Sequence, residues 1–418
     1  MEVFYTFIIY PMVWSGFWLL SWFNSKVNQG FKLRRNKSWI KAFDSKSQWI
    51  WFHVASGELE YAKPVMRTLK QSGKFKILVT YFSPSATRAL AKASDVDLYI
   101  PMPWDTPWNW NQFLDHYKPQ VLAIARTDTW PNMVWQTAKR NIPSILFSAT
   151  LPSHSGRYAS FWGRLFYGSV VEKLSTISCV SESDRDNFTR LAPDQSFTVD
   201  GDTRFDQVIY RVSENRPLRL EFNGGPVFVA GSTWPEDEKI LIPALKEPIG
   251  RGLKAIIAPH EPSDIHLRFL EESLLAHGLK PTRYSELNPG ADIILIDQVG
   301  ILADLYRFAQ VAFIGGSFKK SIHSVMEASA CGALAIFGPY HFNNREALAL
   351  KSEKLAVEVT NSEQIRNILL KELDLDPSQI ILRKKSMKAF VQKNSGVSLK
   401  ISSWIKTQLP KTYSNHPQ

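Results

Sequence analysis

SQWIWFHVASGELEYAKPVMRTLKQSGKFKILVTYFS, Ser47 to Ser83, is the stretch whose reading decides the fold. It opens on the apolar run Ile50-Trp51-Phe52, short and rich in the aromatic and branched side chains that favour strands. LEYAKPVMRTLKQSG follows as a helix ending at Gly73, and FKILVTYFS reads as a second strand. A strand, a helix and a strand in so few residues form the unit from which parallel sheets are built. At the junction of the first strand and the helix, Glu58 stands directly after Gly57, with Glu60 two residues further on.

The same rhythm continues. PSATRALAKAS and PNMVWQTAKRN read as helices; DLYIPMP, QVLAIART, SILFSAT, TISCVS and FTVDGD read as strands. It breaks at QVIYRVSENRPLRLEFNGGP, Gln207 to Pro226, a polar stretch rich in turn residues that reads as a linker. It restarts with PVFVAGS, LKAIIAPHE, DIILID, VAFIGGS and LAIFGP. The expected organisation is a membrane anchor over 1–25, a Rossmann-like domain over 26–212, a second over 213–385 and a helical tail over 386–418. The fold class is α/β, with two doubly wound domains facing a cleft; in such sheets ligands bind outside the carboxyl ends of the strands.

A chain of 418 residues suits two cores rather than one. Hydrophobic content of 44% with 21% charge is normal for a globular protein and indicates neither disorder nor a polytopic membrane protein. The formal net charge of +11 favours anionic partners, acidic lipid or phosphorylated substrates. Its cations are scattered and not interleaved with aromatics, which argues against nucleic acid. Cys179 and Cys331, the only cysteines, sit in apolar surroundings; they fit a reducing compartment and argue against a disulfide scaffold or cysteine metal site.

No charge occurs between Glu2 and Lys26, and YTFIIYPMVWSGFWLLSWF is dense in aromatics. The segment reaches the ~20 residues a membrane span needs. Pro11 and the Trp and Tyr content equally suit a helix lying in the interface, and a buried core helix is the third reading. It lacks the basic start and small-residue cleavage site of a signal peptide. Lys26, Lys32, Arg34, Arg35, Lys37 and Lys41 follow directly, placing the body in the cytoplasm with these cations against anionic headgroups.

The motif-like features fall at strand ends. Gly231-Ser232-Thr233 and Gly315-Gly316-Ser317 have the form of glycine turns before helices, where free amides and the helix dipole receive a phosphate. His260 lies in a neighbouring loop, and no Walker Lys-Ser/Thr follows either turn. His323 and Glu327 share a face if a helix begins near Ile322; the pair suits a carboxylate holding a ribose, or an ordinary surface pair, and lacks a third ligand for a metal. Glu58 suits a general base at the mouth of a cleft, and equally a carboxylate stabilising its helix start.

Taken in order, HVASGE (His53 to Glu58), ILVTYFSPSA, IPMPWDTP, RTDTWPN, VDGDTRFD, AGSTWPEDE, APHE, DQVGILADLY, GGSFKKSIHSVMEA and FGPYHFNN resemble segments of the Kdo transferases, which attach 3-deoxy-D-manno-oct-2-ulosonic acid (Kdo) to the lipid A precursor. The resemblance runs from the anchor to about residue 385. It implies a GT-B fold, inversion at the anomeric carbon, no metal or resident cofactor, and CMP-Kdo as co-substrate. It implies Glu58 as catalytic base and Ser56, Gly57 and Asp128 on the acceptor side. The donor site would comprise Gly231, Ser232, Thr233, His260, Gly300, Ile301, Gly315, Gly316, Ser317, His323 and Glu327. The expected setting is the cytoplasmic face of the inner membrane, with the lipid A precursor and an anionic membrane surface as partners. This sequence departs from the family pattern at the shortened Ser56-Gly57-Glu58, at Arg126 where many members carry Glu, at Pro259 for Arg and at Ser324 for Asn. Those departures also fit a different sugar or acceptor, or a non-catalytic protein that binds lipid or nucleotide.

Overall fold

A computed structural model describes residues 1–410 except 74, 215, 221, 223, 224, 289 and 290. By internal contacts it divides into two units, residues 1–207 with 394–418, and 208–393. The first holds a seven-stranded sheet: β1 (Gln48–Val54), β2 (Phe75–Tyr81), β3 (Leu98–Pro101), β4 (Val121–Ala125), β5 (Ser144–Ala149), β6 (Thr176–Cys179) and β7 (Phe197–Val199). All its pairings are parallel, in the order β3-β2-β1-β4-β5-β6-β7. The order reverses between β1 and β4, so their carboxyl ends flank the crevice where doubly wound sheets place ligands.

The opening apolar run is continuous because β1 is buried on both faces. Ile50, Phe52 and Val54 enter the core beneath the following helix, and Trp49 and Trp51 enter the core on the opposite face. Before the sheet come α1 (Glu2–Leu20) and α2 (Ser25–Arg34). Within the sheet come α3 (Leu59–Lys70), α4 (Pro107–Tyr117), α5 (Pro131–Lys139) and α6 (Phe161–Val171). Helix α7 (Arg204–Ser213) runs into the stretch read as a linker, because Phe205 and Val208 continue a helical apolar face.

The second unit repeats the plan with β8 (Val227–Thr233), β9 (Lys254–Pro259), β10 (Pro281–Arg283), β11 (Ile293–Leu295), β12 (Val311–Ile314), β13 (Leu334–Phe337) and β14 (Ala356–Glu358). Its parallel order is β10-β11-β9-β8-β12-β13-β14, with the reversal between β8 and β12. Helix α8 (Pro235–Gly250) follows β8, and α9 is only Met326–Ala330. The stretch read as one tail is divided. Helix α10 (Pro377–Lys393) buries Met387, Phe390 and Val391 and ends the second unit. Helix α11 (Val397–Thr407) belongs to the first, where Val397, Ile401 and Ile405 enter the core shared with α3.

Helix α1 is long and apolar enough to cross a membrane by length and composition. One face of it is nevertheless tied to the first unit. Tyr5 donates to Asp105 Oδ2 at 2.8 Å, the Asp105 amide donates to Tyr10 at 2.8 Å, and Thr6 donates to Asn132 Oδ1 at 3.1 Å. The expectation that Arg34 meets headgroups fails. It is buried, donates to the carbonyls of Gly30, Phe82 and Met102, and burial pulls its pKa down to about 10.

Candidate active site

In the first unit the turn after β1 carries Ser56, Gly57 and Glu58. Glu58 occupies the N-cap position of α3, yet its carboxylate caps none of the helix amides. It folds back instead and accepts from the Ser56 amide at 2.9 Å. A Cβ built on Gly57 meets nothing within 4 Å, so the turn is open at that residue. Glu58 thus makes no capping bond although its charge stands at the helix start, and the carboxylate keeps acceptor capacity for a substrate hydroxyl. Ser56 Oγ lies 2.7 Å from Ser85 Oγ, which fixes the turn against the loop after β2.

Asp128 lies just past β4, across the reversal point. His53, fully buried on β1, joins it to the core: Nε2 is 3.0 Å from Asp128 Oδ2 and Nδ1 is 2.8 Å from Thr80 Oγ1. Trp51 Nε1 donates to the same Thr80 oxygen at 2.8 Å. In the neutral imidazole the carboxylate can only accept, so Nε2 carries the proton and Nδ1 accepts from Thr80. Thr80 was not singled out from sequence; only its register opposite His53 on β2 exposes it.

Arg126, flagged as a departure, ends β4 with φ at +66°. Its guanidinium lies 5.3 Å from the centre of the Tyr61 ring, and that of Arg204 lies 5.4 Å from the same ring and donates to the Tyr61 hydroxyl at 3.1 Å. Two cations thus stand around one aromatic ring near the carboxyl ends of the strands. Ser148, at φ +49°, ends β5 in the same strained region, its hydroxyl 2.9 Å from Thr203 Oγ1. Non-glycine residues held there cost roughly 1–3 kcal/mol each and cluster at functional sites.

The second unit corrects the phosphate-cradle expectation. No helix follows Gly315-Gly316-Ser317 directly; turns and irregular chain run to Val325. The amides of Gly316 and Phe318 donate to buried Asp237 at 2.7 and 3.0 Å, and that carboxylate also takes the Trp234 amide at the start of α8 at 2.9 Å. Burial raises the Asp237 pKa, and these bonds oppose the rise. Of the amides expected to meet a phosphate, that of Gly316 is therefore taken by a side chain of the same unit. The glycines serve packing: a Cβ on Gly231 would lie 2.0 Å from the Tyr306 hydroxyl, and one on Gly315 2.1 Å from the Ser232 carbonyl. The hydroxyls of Thr233 and Ser317 are also engaged internally, with Glu238 and with Ile314 O and the Gly338 amide.

What this end of the sheet does present is a stack. The rings of Trp234 and His260 lie 4.7 Å apart, those of His260 and His323 4.5 Å apart, and Lys319 Nζ sits 3.3 Å from the Trp234 ring centre. His323 precedes α9 rather than sharing a helix face with Glu327, because the chain is irregular from Ser321 to Val325. Its Nε2 accepts from Trp234 Nε1 at 3.2 Å. Burial, then neighbouring His260, lowers its pKa to about 4, so it is neutral near pH 7. Glu327 pairs with Arg211 at 3.2 Å and accepts from Ser324. Ser232, at φ +53°, is the third strained residue at a strand end, while Gly300 (φ +97°) and Ile301 lie on the loop leading to residues 302–305. Among the described residues no three His, Cys, Asp or Glu side chains are grouped to hold a metal ion.

Comparison with known proteins adds the following. A family model described as 3-deoxy-D-manno-octulosonic-acid transferase (kdotransferase) matches residues 29–207. The 3-deoxy-D-manno-octulosonic acid transferase of Aquifex aeolicus is 29% identical over 322 residues, 76% of this chain and 83% of that protein. Among solved structures, a UDP-GlcNAc 2-epimerase from Neisseria meningitidis aligns over 88% of this chain and all of its own, with a TM-score of 0.59 at 12% identity. A glycosyltransferase from Rickettsia africae aligns over 88% of this chain and all of its own, with a TM-score of 0.55 at 14% identity. At such identities these two likenesses concern the fold, two parallel-sheet α/β domains of the GT-B kind.

Proposed function

We propose that the chain is a glycosyltransferase of the Kdo transferase kind, as its similarity to that family supports, and that it transfers Kdo from CMP-Kdo to the lipid A precursor at the cytoplasmic face of the inner membrane. The observation that supports this reading is the Glu58 turn: a carboxylate at the reversal point of the first sheet, free of helix-capping bonds and held by one amide. In the reaction the acceptor hydroxyl oxygen bonds to the anomeric carbon as the bond from that carbon to CMP breaks. The hydroxyl proton passes to Glu58, CMP leaves with the electron pair, and the configuration inverts. Asp128, held by His53, orients the acceptor. Arg126 and Arg204, around Tyr61, supply positive charge for its phosphate.

On the donor side His260, Ser232, Gly300, Ile301 and Lys319 face the CMP moiety, and Glu327 takes a ribose hydroxyl. Gly231, Thr233, Gly315, Gly316 and Ser317 shape that end of the sheet through Asp237 and Tyr306, and His323 orients His260 through their ring stack. No metal takes part in this reading.

The test is acceptor-dependent CMP release with the product mass determined. Glu58→Gln is expected to lower turnover by roughly 10²–10⁴-fold, the span general-base catalysis covers, while CMP-Kdo still binds. A folded Gln variant with wild-type turnover removes Glu58 from the role.

A further inference from the structure

Two acidic side chains lie buried side by side in the first turn of α8, Asp237 at 0% and Glu238 at 1% exposure. Three backbone amides satisfy Asp237. Glu238 has different partners. Its Oε1 accepts from Thr233 Oγ1 at 2.8 Å, and its Oε2 lies 2.9 Å from Nε2 of His266, on the helix Asp264–Ala276. Among the described residues, His266 is the one basic side chain that pairs with either acid. An unpaired buried carboxylate is costly, so this contact decides how Glu238 is held.

The other ring nitrogen of His266 is engaged as well: Nδ1 lies 3.1 Å from the carbonyl oxygen of Glu261. A carbonyl and a carboxylate only accept, so both ring nitrogens face acceptors, and a neutral imidazole has one N–H to give. The pair therefore holds one proton more than a neutral imidazole and a carboxylate do between them. Imidazole is the stronger base of the two, so that proton rests on the ring. The contacts close a circuit around His260. The Thr233 carbonyl accepts from the His260 amide at 2.9 Å, the Thr233 hydroxyl reaches Glu238, Glu238 reaches His266, and His266 returns to Glu261, next to His260 in the loop after β9. Of the elements packed against the ring, α8 brings Glu238, and the loop after β9 brings the Glu261 carbonyl, with the Glu261 residue itself exposed. On its own helix Asp264 is paired with Arg268 and with Arg283 of β10.

We propose that Glu238 and His266 are positioning residues of the donor site, and that the second proton on His266 ties down the loop that carries His260. When that proton leaves to solvent, the remaining N–H goes to the carboxylate, the stronger acceptor, and Nδ1 turns a lone pair towards the Glu261 carbonyl. The bond to Glu238 persists while the loop is released at Glu261. Neither residue touches the substrate; both act through the seat of His260. The inference rests on the proposed placing of CMP beside His260.

The test uses the full chain, with CMP as the probe and nitrogen NMR of the histidine rings to follow the second His266 proton from about pH 6 to about pH 9.5. His266→Gln keeps a donor for Glu238 and cannot take up a proton. While the ring holds both protons, the wild type is expected to bind CMP about tenfold more tightly than this variant, and once one is lost the two are expected to bind alike. The protection of the His260 amide against hydrogen exchange is expected to follow the same course, with β12 protected equally in both proteins. Equal CMP affinity of the wild type and the folded variant at every pH overturns the proposal, and so does a His266 ring with a single proton throughout. In the wild type alone, a His260 amide whose protection ignores the ring's proton also overturns it. If that protection follows the proton while neither protein binds CMP, the positioning pair stands and the proposed placing of CMP falls.

Discussion

Glu58 and Gly231 show how little a residue's type reveals about its use. A glutamate at a helix start is ordinarily a dipole or capping residue, and a glycine after a strand is ordinarily room for a ligand. Here the glutamate caps nothing. The glycine makes room for Tyr306 Oη, which a Cβ would approach to 2.0 Å, with the ring carbon bearing it and Leu302 at 2.8 Å. Gly231→Ala is therefore expected to destabilise the second unit by about 1–3 kcal/mol, the usual cost of overpacking. Tyr306→Phe in the same chain should recover part of that loss, because it removes the closest atom and leaves the ring carbon. Urea titration of the single and double variants measures both; a neutral Gly231→Ala would mean the ring moves freely. Position and family order were legible from sequence at Glu58, Asp128 and Arg126. Hydrogen-bond partners were not. Asp237 reads as one acid among three in Glu236-Asp237-Glu238, and only folding brings the amides of Gly316 and Phe318 to it.

At the level of elements, legibility followed burial. Strands such as β1 declared themselves because both their faces are covered, which leaves an uninterrupted apolar run. Short irregular stretches hid instead: the chain from Ser321 to Val325 separates His323 from Glu327, whereas a four-residue spacing suggested one helix face. The tail hid for another reason. Val397, Ile401 and Ile405 mark an amphipathic helix, and their spacing does not say which core receives them. They enter the first unit, and the helix start is held by Asp206, which accepts from the amides of Gly396 at 2.5 Å and Ser398 at 2.7 Å. Helix α11 is thus a structural part of the first unit. Ile405, fully buried, is expected to cost about 2–5 kcal/mol when truncated to Ala, the range for large-to-small core changes. The loss should appear in hydrogen exchange of β1 and α3, and leave β8 and β12 protected as before. Equal loss in both units would contradict the assignment of α11 to the first.

Across the whole molecule the two sheets share one feature. Each reverses its strand order at its first strand, between β1 and β4 and between β8 and β12, and each has strained non-glycine residues at carboxyl ends of strands, Arg126 and Ser148 in the first and Ser232 in the second, while Lys37, Lys118, Asn141 and Lys354 hold a positive φ elsewhere. The rings that stack at the second of these ends make its stability depend on pH in a stated direction. His323 has its pKa depressed from an ordinary 6.5 to about 4 by burial and by neighbouring His260. Between those values the unfolded chain binds a proton at this residue and the folded unit does not, so stability rises with pH across the window. The contribution is complete above pH 6.5 and is lost as pH falls towards 4. Protonation would also replace the lone pair that accepts from Trp234 Nε1 with a second donor, opening the Trp234–His260–His323 stack. Thermal unfolding followed by tryptophan fluorescence from pH 7.5 to 4 is expected to show this slope, and His323→Gln is expected to flatten it by removing the titrating ring. Equal slopes in both proteins would place the acid sensitivity elsewhere. Under the proposed reading, CMP-Kdo affinity is expected to weaken over the same window, because protonated His323 no longer accepts from Trp234 Nε1.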